Sequence, residues 1–299
     1  MRDKRSEVSL RQIEVFVRVF EAGSFSRAAR ALGLSQPTVS AHLKALEAEL
    51  GVSLFARRGR VVRPTVSAEK LHAQAQRLLQ LKDEVLASVF DSGGELRGEL
   101  VIGASNIPAS YLLPKRLLRY GQLHPAVRVL LQTGDSRSVL EMVHRGDVTL
   151  GFVGIEPVGR RYESRPLGRD RLVLVAHAGH PLAGRRITPQ QLRGHRLIVR
   201  EPGSGTRRAA ETALAELGVS MNDDLEIVLE VGSNEAARQA VAAGIGISLV
   251  SDLSVKDELK HGTLRRITVR GLSLDREFYC VSSRGRPLAS AAQALLAVL

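Results

Sequence analysis

The amino-acid sequence predicts a multi-domain α+β fold, in which a small helical module and a long helix precede a larger two-lobed α/β domain. Three observations predict it. Apolar residues recur at helical spacing near the start of the chain. One uninterrupted helical pattern then places Leu71, Leu78 and Val85 seven residues apart. From Gly98 onward, short apolar runs alternate with helical segments, as in a parallel sheet covered by helices. The predicted boundaries are 1–66, 67–91 and 92–299.

The first module is predicted to contain three helices and a β-hairpin. The first helix ends at Gly23, and Ser24 can cap the second. Gly33 ends the second helix, after which Ser35 can cap a third with Pro37 in its first turn, where a proline loses no needed hydrogen bond. The segment that follows, 52–64, alternates apolar and basic residues and predicts a hairpin with a basic tip.

Positive charge is concentrated in this module. The whole chain carries a formal charge of +12, and residues 1–66 contain twelve Lys and Arg against six Asp and Glu. About half of the excess therefore lies in about a fifth of the chain, which is typical of a nucleic-acid-binding module. Aromatic residues make up 4% and tryptophan is absent. Docking in a groove of double-stranded DNA is therefore favoured over stacking on single strands.

The three helices predict a winged helix-turn-helix, whose third helix presents its first turns to the major groove. Gln36 is suited to adenine edges, Thr38 to a thymine methyl and Lys44 to phosphate. Ser35 can cap the helix and contact DNA, and we expect one of Ser40 and His42 to touch DNA while the other is solvated surface. The wing arginines are expected to make salt-dependent phosphate or minor-groove contacts, the alternative being solubilising charge. The predicted DNA-binding residues are Ser35, Gln36, Pro37, Thr38, Ser40, His42, Lys44, Arg57, Arg58, Arg60 and Arg63.

The long helix, from about Ser67 to Phe90, is predicted to pair two chains. Its apolar stripe suits a two-stranded coiled coil, and its place between two domains favours dimerisation over the alternative, which is packing against its own domain. The predicted dimer residues are Leu71, Ala75, Leu78, Val85 and Val89.

The α/β region is predicted to form two lobes. The first lobe takes about 97–160 plus 269–299, because the last strand and helix can return to it, and the second takes about 161–268. Three loops that follow strands and open helices offer hydroxyls, amides and backbone N–H groups, which favour anions. Ordinary helix capping is the alternative for each loop. These loops are 104–108, 135–138 and 201–207.

The segment from Ser24 to Glu69, SFSRAARALGLSQPTVSAHLKALEAELGVSLFARRGRVVRPTVSAE, closely resembles the LysR-type transcriptional regulators. The resemblance rests on the SQPTVS start of the third helix, the LEAELGVSLF run and the basic wing, and the remaining pattern extends it over the whole chain. It implies a sequence-specific regulator, a C-terminal domain like the periplasmic binding proteins with a ligand between its lobes, and a homodimer that assembles into a homotetramer. The expected partners are double-stranded DNA, a small ligand and RNA polymerase.

Three stretches of the second region, ASNIPASYLLP, GDSRSVLEMV and REPGSGTRRA, resemble the cysteine-regulon branch of that family and relatives of sulfur and selenium oxyanion metabolism. That resemblance implies sulfite, sulfate, a similar oxyanion or a small sulfur metabolite as the effector. It also implies the effector-binding residues, which are Ser105, Asn106, Ser136, Ser204 and Thr206. The alternative is a regulator of the same family that senses a small organic acid.

Other classes of protein are disfavoured. The sequence has no phosphate-loop, HExxH or GxSxG motif and no metal-ligand spacing of Cys and His, so neither an enzyme nor a cofactor is expected. Cys280 is interpreted as a core residue. The charged start of the chain is unlike a secretory signal, and no apolar run is long enough to span a membrane, so a cytoplasmic location is expected and a secreted solute-binding protein is not. A nucleoid protein would explain the charge but not the cleft.

Overall fold

The computed structural model describes residues 8–58, 61–90 and 96–299, without the side chains at 57, 58, 61, 73, 80, 83, 84 and 86–90. The chain divides into two compact units, Met1–Gly94 and Glu95–Leu299. The long helix, predicted as a segment of its own, lies in the first unit.

The first unit has the predicted winged helix-turn-helix. Ser9, Ser24 and Ser35 cap the first three helices, each accepting a hydrogen bond from a backbone N–H of the first turn. Phe16 and Leu46 are fully buried at the centre of the domain. The elements are α1 (Leu10–Ala22), α2 (Phe25–Leu32), α3 (Gln36–Leu50), β1 (Phe55–Arg58), β2 (Val61–Pro64) and α4 (Val66–Phe90).

Helix α4 packs its first turns against the core of its own domain. Ala75 is 2% exposed within the single chain, and Leu71 is packed at the edge of the same core. Ala75 is therefore covered inside its own domain, and its place in a dimer seam stays a prediction. Leu78 and Val85 are 44% and 54% exposed. The side chain of Val89 lies outside the described part of the chain.

The second unit is a mixed sheet flanked by helices. Its strands lie in the order β4-β3-β5-β12-β6-β10-β8-β9, and β11 pairs with β6 and β7. Strand β3 is parallel to β4 and β5, and β8 is parallel to β9 and β10, as predicted. The elements are β3 (Gly98–Ser105), a helical turn (Pro108–Leu112), α5 (Leu113–Leu123), β4 (Val127–Gly134), α6 (Ser136–Arg145), β5 (Leu150–Val153), β6 (Tyr162–His177), β7 (Arg186–Ile187), β8 (Arg196–Arg200), α7 (Gly205–Glu216), β9 (Glu226–Val231), α8 (Asn234–Ala242), β10 (Ile247–Ser251), α9 (Lys256–His261), β11 (Leu264–Val269), β12 (Asp275–Ser283) and α10 (Ser290–Val298).

Two antiparallel strands, β6 and β12, run from one lobe into the other. Residues 162–171 of β6 pair with β12 beside the first lobe, and residues 172–177 pair with β10 and β11 in the second. The predicted lobe boundary at 161 therefore precedes a strand that both lobes share. The start of β6 escaped prediction because its side chains are mostly polar and exposed.

The end of the chain returns to the first lobe, as predicted. Strand β12 pairs with β5, and Ala292 and Leu295 of α10 are buried in the core of that lobe. The hydroxyl of Tyr120 donates to the carbonyl of Ala291 at 2.9 Å. Cys280 is buried in the same core, where burial raises the pKa of its thiol to about 12. Across the described residues, no helix is both long and apolar enough to cross a membrane.

Candidate DNA-binding surface and ligand cleft

The start of α3 is held in place by hydrogen bonds of its own residues and of α2. The hydroxyl of Ser35 accepts from the backbone N–H of Thr38 at 3.2 Å, and the two hydroxyl oxygens lie 2.7 Å apart. Ser26 of α2 donates to Oε1 of Gln36 at 3.0 Å. This contact fixes the side chain predicted to read adenine, and the sequence analysis did not identify Ser26.

One side of α3 is buried and the other faces outward. Val39, Leu43 and Leu46 pack into the core, which leaves the predicted reading face on the surface. Ser35, Gln36, Pro37 and Lys44 are exposed, and Thr38, Ser40 and His42 are partly exposed. All seven predicted residues at the start of α3 are therefore at least partly exposed, and their contacts with DNA stay a prediction.

The wing is joined to α3 through Glu47. One carboxylate oxygen of Glu47 accepts from the backbone N–H groups of Leu54 at 2.6 Å and Phe55 at 3.3 Å. Because Phe55 begins β1, this bond sets where the hairpin leaves the helix. Glu47 stands in the LEAELG run, where its spacing alone indicated only a helix.

Four of the predicted DNA-binding residues are arginines of the wing segment. Arg63 is exposed on β2, and its backbone pairs with Ala56 of β1. The side chains of Arg57 and Arg58, and all of Arg60, lie outside the described residues. Arg27 and Arg30 of α2 are also exposed and basic, and the sequence analysis had not included them among the DNA-binding residues.

The second unit holds a small cavity of about 20 Å³ between its lobes. Three loops meet there, one after β3, one at the start of α6 and one at the start of α7, and they bring together all the residues predicted to bind an effector. Their role in binding remains a prediction. These residues are Ser105, Asn106, Ser136, Ser204 and Thr206.

The cavity hydroxyls are buried and keep a proton to donate. Ser136 is 2% exposed, and its oxygen accepts from the backbone N–H of Gly154 at 3.1 Å. The oxygen of Ser204 accepts from the backbone N–H of Thr206 at 3.2 Å. Since each oxygen already accepts a bond, each hydroxyl hydrogen can point to a ligand.

The sequence analysis missed the charged residues of the cavity. Arg276 of β12 lies directly opposite Asp170 of β6, and its Nε and Nη2 donate to the same carboxylate oxygen at 2.9 and 2.7 Å. Its Nη1 donates to the hydroxyl of Thr206 at 3.1 Å. Burial lowers the pKa of Arg276, and the Asp170 carboxylate opposes that change. No sequence pattern could have paired Arg276 with Asp170, because the two residues are far apart in the chain.

A second buried guanidinium, Arg200, also lines the cavity. Its Nε and Nη2 donate to the two carboxylate oxygens of Glu201 at 2.8 and 2.6 Å. The charge of Arg200 contributes to lowering the pKa of Arg276, so the two cations act on each other. Both reach the cavity already paired with a carboxylate.

The two lobes touch each other beside the cavity. The backbone N–H of Arg137 in α6 donates to the carbonyl of Gly203 at 3.4 Å. A Cβ atom at Gly205 would lie 2.6 Å from the carbonyl oxygen of Gly154, so only a residue without a side chain permits this approach. The cleft is therefore closed.

A helix-turn-helix with a wing, followed by a two-lobed domain that encloses a polar cavity, defines a ligand-responsive DNA-binding regulator. Two family models match the chain: the bacterial regulatory helix-turn-helix protein of the lysR family over residues 10–69, and the LysR substrate binding domain over residues 93–299. The chain belongs to the LysR family of transcriptional regulators. Members of this family bind DNA and are not enzymes.

Individual relatives agree. The HTH-type transcriptional regulator CbbR of Xanthobacter flavus is 33% identical over 290 residues, which cover 96% of this chain and 86% of that protein. The regulatory domain of Synechocystis PCC6803 CcmR in complex with 2-PG is 28% identical, covers 67% of this chain and 95% of that one, and has a TM-score of 0.61. CbnR complexed with its target DNA shares the fold, with 22% identity, a TM-score of 0.71 and coverage of 97% and 98%.

These relatives do not support the predicted place within the family. Three short stretches of the ligand domain predicted the cysteine-regulon branch. The relatives found are instead regulators such as CbbR and the Synechocystis transcriptional activator CmpR. The three stretches line a cavity for a small ligand. Residues of that kind suit many small anions, so they indicate the chemistry of the site better than the branch.

Proposed function

We propose that this chain regulates transcription by binding operator DNA through α3 and the wing, and that a small anion in the lobe cleft changes that binding. The observation that carries the proposal is the convergence of four buried hydroxyls and two guanidinium groups on one small cavity. Buried donors of this kind favour a ligand with negative charge.

Two classes of anion fit these donors. Sulfite, sulfate or a similar oxyanion is the first, as the sequence resemblance implied. The second is a small organic acid, and the CcmR regulatory domain with its 2-PG favours this class. Both are compact and acidic, and they differ in which hydrogen-bonding groups they carry.

The ligand is expected to act by stabilising the closed cleft. Residues of the first lobe (Ser105, Ser136) and of the second (Ser204, Thr206) face the same space, so one anion can bind both lobes at once. A ligand that binds the closed form more tightly shifts the chain toward it. The same preference couples the ligand to DNA affinity, provided that the two forms of the assembly bind DNA differently.

Assembly is expected to run through α4. Leu78, Leu81 and Val85 expose between 44% and 54% of their surface on this helix, and a second copy of the helix would cover them. We propose a homodimer on this helix, a homotetramer through the ligand domains, RNA polymerase as a further partner, and action in the cytoplasm.

The test combines footprinting with calorimetry on the full chain. Titration with sulfite, sulfate, thiosulfate and a panel of small carboxylates and phosphate esters should yield at least one binding anion, and that anion should change a footprint with dyad symmetry. Ser105→Ala should weaken this binding, since its buried hydroxyl makes no hydrogen bond within the described residues. Ser282→Ala is the matched control, a buried serine outside the cavity lining. Coating of DNA without sequence preference, or a footprint that no anion changes, would overturn the proposal.

A further inference from the structure

The cavity contains hydrogen-bond acceptors as well as donors, and they restrict what can bind. Asp135 and Asn234 line it together with the hydroxyls and the guanidinium groups. We infer that the effector carries a hydrogen-bond donor on or beside its anionic group, as a singly protonated phosphate ester does and a sulfate ester does not. This inference rests on the proposed anion site and names the chemical class that the site selects.

Asp135 presents one carboxylate oxygen that accepts no hydrogen bond from the described residues. It caps α6, and its Oδ1 accepts from the backbone N–H of Ser138 at 2.8 Å. The other oxygen, Oδ2, accepts no hydrogen bond from the part of the chain that the structure describes. The carboxylate lies against Gly203 of the second lobe, within 2.5 Å of where a Cβ atom would be. The free acceptor is therefore at the contact between the lobes.

Asn234 presents a second acceptor from the start of α8. The residue is 4% exposed, and its side-chain oxygen Oδ1 is buried without a hydrogen-bond partner among the described residues. A buried polar atom left without a partner destabilises the protein. A donor on the ligand would supply the missing bond.

The charges around the cavity point to the same class. Arg276 is paired with Asp170, and Arg200 is paired with Glu201. Asp135 makes no ion pair within the described residues, so its negative charge is not balanced by a side chain. A protonated anion can donate a hydrogen bond to Asp135. An anion without a proton would instead bring two hydrogen-bond acceptors together. The hydroxyls and helix N-termini then bind the remaining oxygens.

The experiment compares methyl phosphate with methyl sulfate by calorimetry on the full chain at pH 6. The two esters have nearly the same shape, and about half of a phosphate monoester is singly protonated at this pH, so it has the same charge as the sulfate and one additional donor. We expect methyl phosphate to bind at least ten-fold more tightly. Its affinity should also fall by up to about fifty-fold between pH 6 and pH 8 as the proton is lost, while that of methyl sulfate stays constant.

Asp135→Asn tests the residue directly. Asparagine caps a helix as well as aspartate does, so the fold is retained. The amide NH₂ replaces the free acceptor by a donor, and the preference for methyl phosphate should disappear or reverse. Asp223→Asn, outside the cavity lining, is the matched control and should keep the wild-type ratio.

The outcomes separate two errors. Equal affinity of the wild-type chain for both esters, or a ratio that Asp135→Asn leaves unchanged, would overturn the inference while the anion site stands. Binding of neither ester at millimolar concentration would overturn the anion site itself.

Discussion

Gly205→Ala tests whether ligand binding depends on the close approach of the two lobes. A Cβ atom at this position would lie 2.6 Å from the carbonyl oxygen of Gly154, 2.8 Å from its carbonyl carbon and 3.0 Å from Cγ2 of Ile155. The first two are backbone atoms that cannot rotate away. Ordinary contact begins at 3.4 Å, so the lobes must separate by about 0.8 Å at this point.

The size of the effect follows from hydrogen-bond geometry. A bond of about 2.9 Å between the ligand and one lobe would lengthen to about 3.7 Å, beyond the range of a hydrogen bond. A hydrogen bond to a charged group contributes about 1.5–3 kcal/mol. Losing one such bond weakens binding by about ten- to one hundred-fold.

The first residue of α7 can be alanine as far as the helix is concerned, so stability should fall only by the loss of the contact between the lobes. Calorimetry with the effector found in the titration panel measures affinity, and thermal unfolding measures stability. Gly121→Ala is the matched control, since its Cβ would meet nothing within 4 Å and the site is in a helix. This variant should bind the ligand with wild-type affinity, and its free energy of unfolding should rise by about 0.5–1 kcal/mol. Wild-type affinity in Gly205→Ala would refute the claim that closure is needed for binding.

Three further predictions concern other parts of the chain. Gln36→Ala should reduce discrimination between operator sequences, whereas Lys44→Ala should weaken binding to all DNA sequences alike and lower the salt dependence by about one phosphate contact. The measurement is the affinity for operator and random DNA at several salt concentrations. The same behaviour in both variants would contradict these roles. Asp170→Asn should lower the free energy of unfolding, measured by denaturant titration, by about 3–5 kcal/mol, because it leaves the buried guanidinium of Arg276 without its counter-ion. A loss below about 1 kcal/mol would contradict that role. Cys280 should resist alkylation at pH 8 until the protein unfolds. Since burial raises its pKa to about 12, the native thiol keeps its proton where the unfolded thiol ionises, so stability should fall as pH rises above about 9. Cys280→Ala should reduce that dependence, and the buried tyrosines account for the remainder.

Local signals were sufficient for the first domain. Caps at Ser24 and Ser35, a stop at Gly33 and apolar spacing in α3 are decided by residues a few positions apart, so the reading face could be placed before its structure was known. The tertiary structure added the contacts that orient it, from Ser26 to Gln36 and from Glu47 to the wing.

In the ligand domain, the sequence by itself determined the alternation of strands and helices and the loops that carry Ser105, Ser136 and Ser204, because strand ends and helix caps have local signatures. Only the tertiary structure decided what those loops share. It brought Arg276 and Asp170 together across two antiparallel strands, and it buried Ala75 against its own domain. It also placed Asp135 beside Gly203 of the other lobe. Such contacts join residues far apart in the chain, and their energies depend on burial and geometry, which composition and periodicity do not encode.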